Sequence, residues 1–169
     1  MEKRICFDMD GTLNKFYEVE NWLDDLIAEN TRPYDIAPPT FDAYEMYLTL
    51  YYLKELGANL SIVSWTSKSG SPNYNKAVRK SKVEWLKELG IYDLFDEIHI
   101  VKYGTPKHTT IKEGKSSILI DDDNIVREKW IRYGGIAVNP VNASTNENEI
   151  LDILWNIIAT YEAEEKSSA

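Results

Sequence analysis

Cysteine is almost missing from this sequence. Cys6 stands alone among 169 residues, so no internal disulfide can form and a reducing compartment is indicated. Long apolar runs are missing too, none approaching the roughly 20 residues that a membrane-spanning helix needs. The first residues, MEKRICFDMDGT, contain no apolar signal core and carry carboxylates at once. The expectation is a soluble, cytoplasmic protein with no membrane partner. Positive charge is short. Lys and Arg number 19 against 28 Asp and Glu, a net charge of −9, so the broad positive face that nucleic acid or an anionic membrane requires is not expected. His99 falls inside an apolar run and reads as an interior residue, so it makes no convincing metal pair with His108. Repeats and low-complexity linkers are absent. What remains, 43% apolar and 28% charged, excludes a disordered chain, a fibre and a coiled coil. It suits one domain over 1–169, long enough to bury a core without disulfide or metal staples.

Short, continuously apolar runs punctuate the chain at Arg4 to Phe7, Leu60 to Val63, Ile98 to Val101, Ile118 to Ile120 and Ile136 to Val138. Runs of this kind, not alternating with polar residues, predict strands of a parallel sheet buried on both faces. Between them, apolar residues recur every three or four positions. Ala43, Met46, Tyr47, Leu50, Leu53 and Leu56 mark one helix, closed by Gly57; Val78, Trp85, Leu86 and Leu89 mark another, closed by Gly90. Asn124 to Tyr133 marks a third before Gly134-Gly135, and Ile150, Leu151, Leu154, Ile157, Ile158 and Tyr161 a fourth, with Ser144 and Glu147 as its capping box. The polar tail 162–169 is expected to fray. Strands alternating with helices make a Rossmann-like, three-layer α/β domain with a mostly parallel sheet.

Leu13 to Pro39 breaks this rhythm. Val19, Trp22, Leu23, Leu26 and Ile27 have the spacing of one amphipathic helix, among Phe16, Tyr17, Tyr34 and three prolines. A minimal α/β unit does not need this insertion. It is either a small lid over a site or a helix packed on the sheet edge.

Open parallel sheets bind ligands at the carboxyl ends of their strands. Here the first strand ends in Asp8 and Asp10, the second in Ser64, Trp65 and Thr66, and the fourth in Asp121, Asp122 and Asp123. If these strands are neighbours, their carboxylates converge. Two like charges about 4 Å apart repel by roughly 4 kcal/mol at an effective dielectric of 20. Such a group calls for a cation or protonation, and oxygen ligands alone point to Mg²⁺.

The apolar strand running into Asp8-Met9-Asp10-Gly11-Thr12 resembles the first signature of the haloacid dehalogenase (HAD) superfamily. Leu60 to Ser64 resembles the second, Gly104-Thr105-Pro106-Lys107 the third, and Ser117 to Asp122 the fourth, all in the family's order over about residues 4 to 139. The fourth strand with its following Trp-bearing helix is also similar to the 5′(3′)-deoxyribonucleotidase-like group and to small phage-type relatives. The resemblance implies a Mg²⁺-dependent phosphatase of small phosphorylated metabolites, nucleoside monophosphates among them. Asp8 would be nucleophile and metal ligand, forming an aspartyl phosphate. Asp10 would protonate the leaving oxygen and offer its backbone carbonyl to Mg²⁺. Lys107 would offset negative charge, Ser64 and the amides after it would hold phosphate oxygens, and Asp122 with Asp121 would complete the metal site. Thr12, Trp65 and Thr66 join Ser64 on the substrate side.

Other readings compete for several of these residues. Asp123 suits the N-cap of the helix at Asn124. Lys102, Lys112 and Lys115 rival Lys107 as the third signature. Lys76, Arg79, Lys80 and Lys82 read as a solvated basic helix face. Tyr17, Trp22, Tyr34 and Trp65 would either stack on a base or anchor the core. A non-catalytic phosphate-binding or regulatory module would keep the same pocket without turnover, although the presence of both Asp8 and Asp10 argues against it. A phospho-acceptor receiver domain is excluded by order: its acidic pair comes first, whereas here the acidic cluster comes last.

Overall fold

The apolar runs form β1 (Arg4–Phe7), β2 (Asn59–Trp65), β3 (Glu97–Val101), β4 (Ile118–Ile120) and β5 (Ile136–Val138) in the computed structural model. It describes residues 3–111 and 117–168. All neighbouring strands pair in parallel, in the order β3-β2-β1-β4-β5. The helices are α1 (Trp22–Ile27), α2 (Arg32–Ile36), α3 (Ala43–Glu55), α4 (Pro72–Glu88), α5 (Asn124–Arg132) and α6 (Ile150–Ser168). Gly57, Gly90 and Gly134, each at positive φ, lie just past α3, α4 and α5. Among the described residues, no helix is long and apolar enough to cross a membrane.

Side chains alternate across each strand, so the sheet has two buried faces. Ile5, Phe7, Leu60, Ile62 and Ile120 face one core, packed by Met46, Leu50 and Leu53 of α3, Trp85 and Leu86 of α4, and Ile150, Leu154 and Ile158 of α6. Cys6, Val63 and Leu119 face the other core, packed by Val126 and Trp130 of α5. Each fully buried large side chain of this kind contributes about 1.5–3 kcal/mol.

The structure departs from the sequence expectation in four places. β2 continues past Ser64 to Trp65, because Ser64 pairs in register with Ile100 and Trp65 with Val101. The insertion does not form one helix from Val19. Asn21 takes left-handed backbone (φ 60), so the helix starts only at Trp22 and keeps Trp22, Leu23, Leu26 and Ile27; past Glu29 (φ 52) a second short helix follows from Arg32. α6 begins at Ile150, whose N–H donates to Asn148 Oδ1 at 3.0 Å. Ser144 sits instead in a turn held by Asn142. The polar residues from Glu162 to Ser168 continue α6 as helix, where fraying was expected.

The insertion is tied down at several points. Phe16 and Tyr34 pack on Tyr74 and Val78 of α4. Glu29 accepts both the backbone and the hydroxyl of Ser71, the N-cap of α4, at 2.7 and 2.8 Å. Trp85 Nε1 donates to the Ala37 carbonyl at 2.8 Å.

Cys6 is wholly buried, and burial pushes its thiol up to about 12. A thiol reagent at neutral pH should find no thiol in the native protein and one per chain, Cys6, after denaturation. Rapid labelling of the native protein would contradict this packing.

Candidate active site

Chain order reverses beside β1: the chain steps outward from β1 to β2 and β3, then returns to place β4 and β5 on the other side. A reversal of this kind opens a crevice at the carboxyl ends of the strands. Phe7 pairs in register with Ile120, so Asp8 and Asp121 leave the sheet side by side. Carboxylate oxygens of Asp8, Asp121 and Asp122 lie within 4.8 Å of one another. Lys107 Nζ sits among them, 2.7 Å from Asp8 Oδ1 and 2.7 Å from Asp121 Oδ2. Of its rivals, Lys102 is exposed, and Lys112 and Lys115 lie outside the described residues.

The loops that carry these groups are braced to each other. The Thr12 hydroxyl donates to Asp122 Oδ1 at 3.2 Å and accepts the Asp122 N–H at 3.1 Å. Gly11 has φ +79, and a Cβ there would lie 2.3 Å from Asp122 Oδ2, so only glycine leaves room for that carboxylate. Asp121 Oδ1 accepts the Asp123 N–H at 2.8 Å, and Asp123 caps α5 by accepting from Val126 N–H at 3.0 Å. Asp122 therefore holds the less committed carboxylate.

Burial and the Asp8 charge push Asp122 up to about 6. The same two causes raise Asp121, with Lys107 pulling against them. Burial works against the Lys107 charge, but Asp8 and Asp121 outweigh it and hold the ammonium above its ordinary value. An oxygen-only donor set whose members resist ionising together fits a hard divalent cation such as Mg²⁺.

Asp10 stands apart from that cluster. Its Oδ2 accepts from Lys82 Nζ at 2.7 Å, and its carboxylate is not among those gathered within 4.8 Å of one another. Burial pushes Asp10 up, Lys82 pulls it back, and Asp8 adds to the push. Asn14 eases the carboxylate from nearby, but Asp10 Oδ1 is buried without a hydrogen bond of normal geometry. Thr66 Oγ1 is buried and unpartnered in the same way. Such groups are costly unless something meets them.

Asp8, Asp10, Lys107, Asp121 and Asp122 form the floor of a cavity of about 430 Å³, a size suited to a small-molecule ligand. Trp65 to Lys68 form one wall, and Tyr17, Trp22, Leu23, Leu26 and Tyr34 of the insertion the facing one. Trp65 Nε1 donates to the Thr105 carbonyl at 2.8 Å, and Lys107 Nζ lies 5.0 Å from its ring centre. Two residues expected on the substrate side are elsewhere. Thr12 is wholly buried and spent on Asp122. Ser64 lies on the strand face shared with Leu60 and Ile62, so it points at α4 and accepts from Lys82 at 2.9 Å. Thr66, beyond the true end of β2, takes the place expected for Ser64.

Lys82 is not the solvated charge that its basic neighbours suggest. Lys76, Arg79 and Lys80 are exposed, but Lys82 has a side-chain exposure of only 1%. The signal was available: Lys82 falls four residues after Val78 and four before Leu86, on the buried stripe of α4. His99 pairs with Glu97 on the edge strand, half-buried, and takes no part in the site.

No protein-family model and no curated protein sequence matches this chain. Among solved structures it is similar to the D,D-heptose 1.7-bisphosphate phosphatase from B. bronchiseptica complexed with magnesium and phosphate. That similarity has 10% sequence identity and a TM-score of 0.49, covering 80% of this chain and 78% of the other.

Mg²⁺ at 100 times its Kd should stabilise the protein by about 2.7 kcal/mol, a melting rise of roughly 5 to 10 °C. Asp122→Asn should abolish that rise and, by relieving the crowding of charge, melt higher than the wild type without metal. Thermal denaturation with and without Mg²⁺ checks both.

Proposed function

We propose that this chain is a HAD-type, Mg²⁺-dependent phosphoric monoester hydrolase of small phosphorylated metabolites, with nucleoside monophosphates among its substrates. The observation that carries the reading is the meeting, in one cavity, of the Asp8 carboxylate, the Lys107 ammonium paired to it, and Asp10, whose Oδ2 is held by the buried Lys82. Asp8 attacks phosphorus. The bond to the ester oxygen breaks, its electron pair leaves with that oxygen, and Asp10 supplies the proton. Water then attacks the phosphoryl group on Asp8 and gives a proton to Asp10, and the electron pair of the broken bond returns to the Asp8 carboxylate.

Asp8 and Asp122, with Asp121 beside them, would hold Mg²⁺, together with the Asp10 carbonyl. The cation supplies positive charge that lets an acidic floor accept a phosphate dianion. Lys107 offsets charge on Asp8 and on the phosphoryl group. The Thr66 hydroxyl, buried without a partner, meets a phosphate oxygen. Residues 13–39 serve as the lid, and their aromatic wall, with Trp65 opposite, receives a flat leaving group such as a nucleoside. The expected setting is the cytoplasm.

The test is phosphate release from a panel of monoesters, nucleotides included. Release should require Mg²⁺, fall by roughly a thousandfold or more in Asp8→Asn, and fall by about 10² to 10⁴ in Asp10→Asn. No release from any ester, or release indifferent to Asp8→Asn, would overturn the proposal. Mg²⁺-dependent binding of a phosphate ester without turnover would favour a non-catalytic module.

A further inference from the structure

We propose that Lys82 is a positioning residue for the proton donor Asp10, an inference that rests on the phosphatase reading above. Lys82 reaches from α4 into the interior, and its ammonium makes three contacts: Asp10 Oδ2 at 2.7 Å, Ser64 Oγ at 2.9 Å and the Trp65 carbonyl at 2.8 Å. An ammonium has three protons to donate, so all are engaged and its direction is set. Two of the acceptors belong to β2, a rigid interior strand, which fixes the nitrogen independently of Asp10. The fixed nitrogen then pins one oxygen of Asp10 and with it the plane of the carboxyl group. The other oxygen, Oδ1, is buried with Asn14 nearby and makes no hydrogen bond of normal geometry, while Asp10 lines the cavity that holds Asp8.

Burying a lysine is unfavourable unless its charge is matched. Charge matching alone would be satisfied by any geometry that neutralises Asp10. The arrangement here does more, because a nitrogen fixed by two strand acceptors sets the orientation of the Asp10 carboxyl group at the cavity. In the first step the phosphorus–oxygen ester bond breaks, and the departing oxygen keeps the electron pair and takes the proton of Asp10. In the second, water returns a proton to Asp10, so Lys82 gains and loses nothing. Its effect is confined to where the Asp10 proton is presented.

That role separates leaving groups. A p-nitrophenolate departs as a stable anion and has little need of a proton, whereas an alkoxide cannot leave without one. The comparison is kcat/KM of the Mg²⁺-loaded full chain for p-nitrophenyl phosphate and for glycerol 3-phosphate. This constant reports the first step, before both esters reach the same phospho-enzyme. In Lys82→Met the loss on the alkyl ester should exceed the loss on the aryl ester by at least tenfold, and Asp10→Asn should show the same asymmetry more strongly. Both esters are measured on one preparation, so the ratio does not depend on the fraction folded. Should Lys82→Met yield no folded protein, Lys82→Gln makes the same comparison. Equal losses on the two esters would leave the phosphatase reading standing and reduce Lys82 to a structural charge. A wild-type protein that releases phosphate from no ester of the panel, nucleotides included, removes both.

Discussion

Like charges brought together at the ends of β1 and β4 are the constraint around which this site is built. Asp8 and Asp121 leave paired strands in register, and Asp122 follows directly. Water is largely excluded there, so their repulsion is poorly screened. Several features answer to it. Lys107 is drawn into the interior from its turn after Pro106, 2.7 Å from two of the carboxylates. Gly11 gives way to Asp122, and the Thr12 hydroxyl ties the two acidic loops together. What charge remains uncompensated is what a bound divalent cation would neutralise.

Two buried ammonium groups divide the acidic residues between two tasks. Lys107 serves Asp8 and Asp121, and Lys82 serves Asp10. The first arrangement keeps an anionic pocket assembled. The second holds a single carboxyl whose burial favours its protonated form. The insertion adds a wall of aromatic rings, clamped to α4 through Glu29 and Ser71 and through the packing of Phe16 and Tyr34 on Tyr74. Because α4 also carries Lys82, the wall and the support of Asp10 share one element.

Much of this was open to inspection in the sequence, and the reasons differ from residue to residue. The strands of the parallel sheet are legible because burial on both faces demands continuous apolar runs, as in Ile118 to Ile120. Helix ends at Gly57, Gly90 and Gly134 are legible because left-handed backbone favours glycine. Asp8, Asp121 and Asp122 are legible because acidic residues directly after apolar strands have few reasons to be there. The break between α1 and α2 is not, since Glu29, a residue with no preference for left-handed backbone, adopts it where its carboxylate meets Ser71.

The sequence by itself determined the alternation of strands and helices, the acidic strand ends and the shortage of positive charge, because each is a local property of composition or periodicity. Only the tertiary structure decided which way Ser64 points, which lysines are buried, and that Thr12 braces Asp122. Ser64 shares the strand face of Leu60 and Ile62 and so meets α4, while Thr66, beyond the end of β2, lines the cavity. Lys82 is a surface charge by composition and a buried one by position. Its fate depended on acceptors 17, 18 and 72 residues away along the chain, which meet only when the sheet and α4 come together.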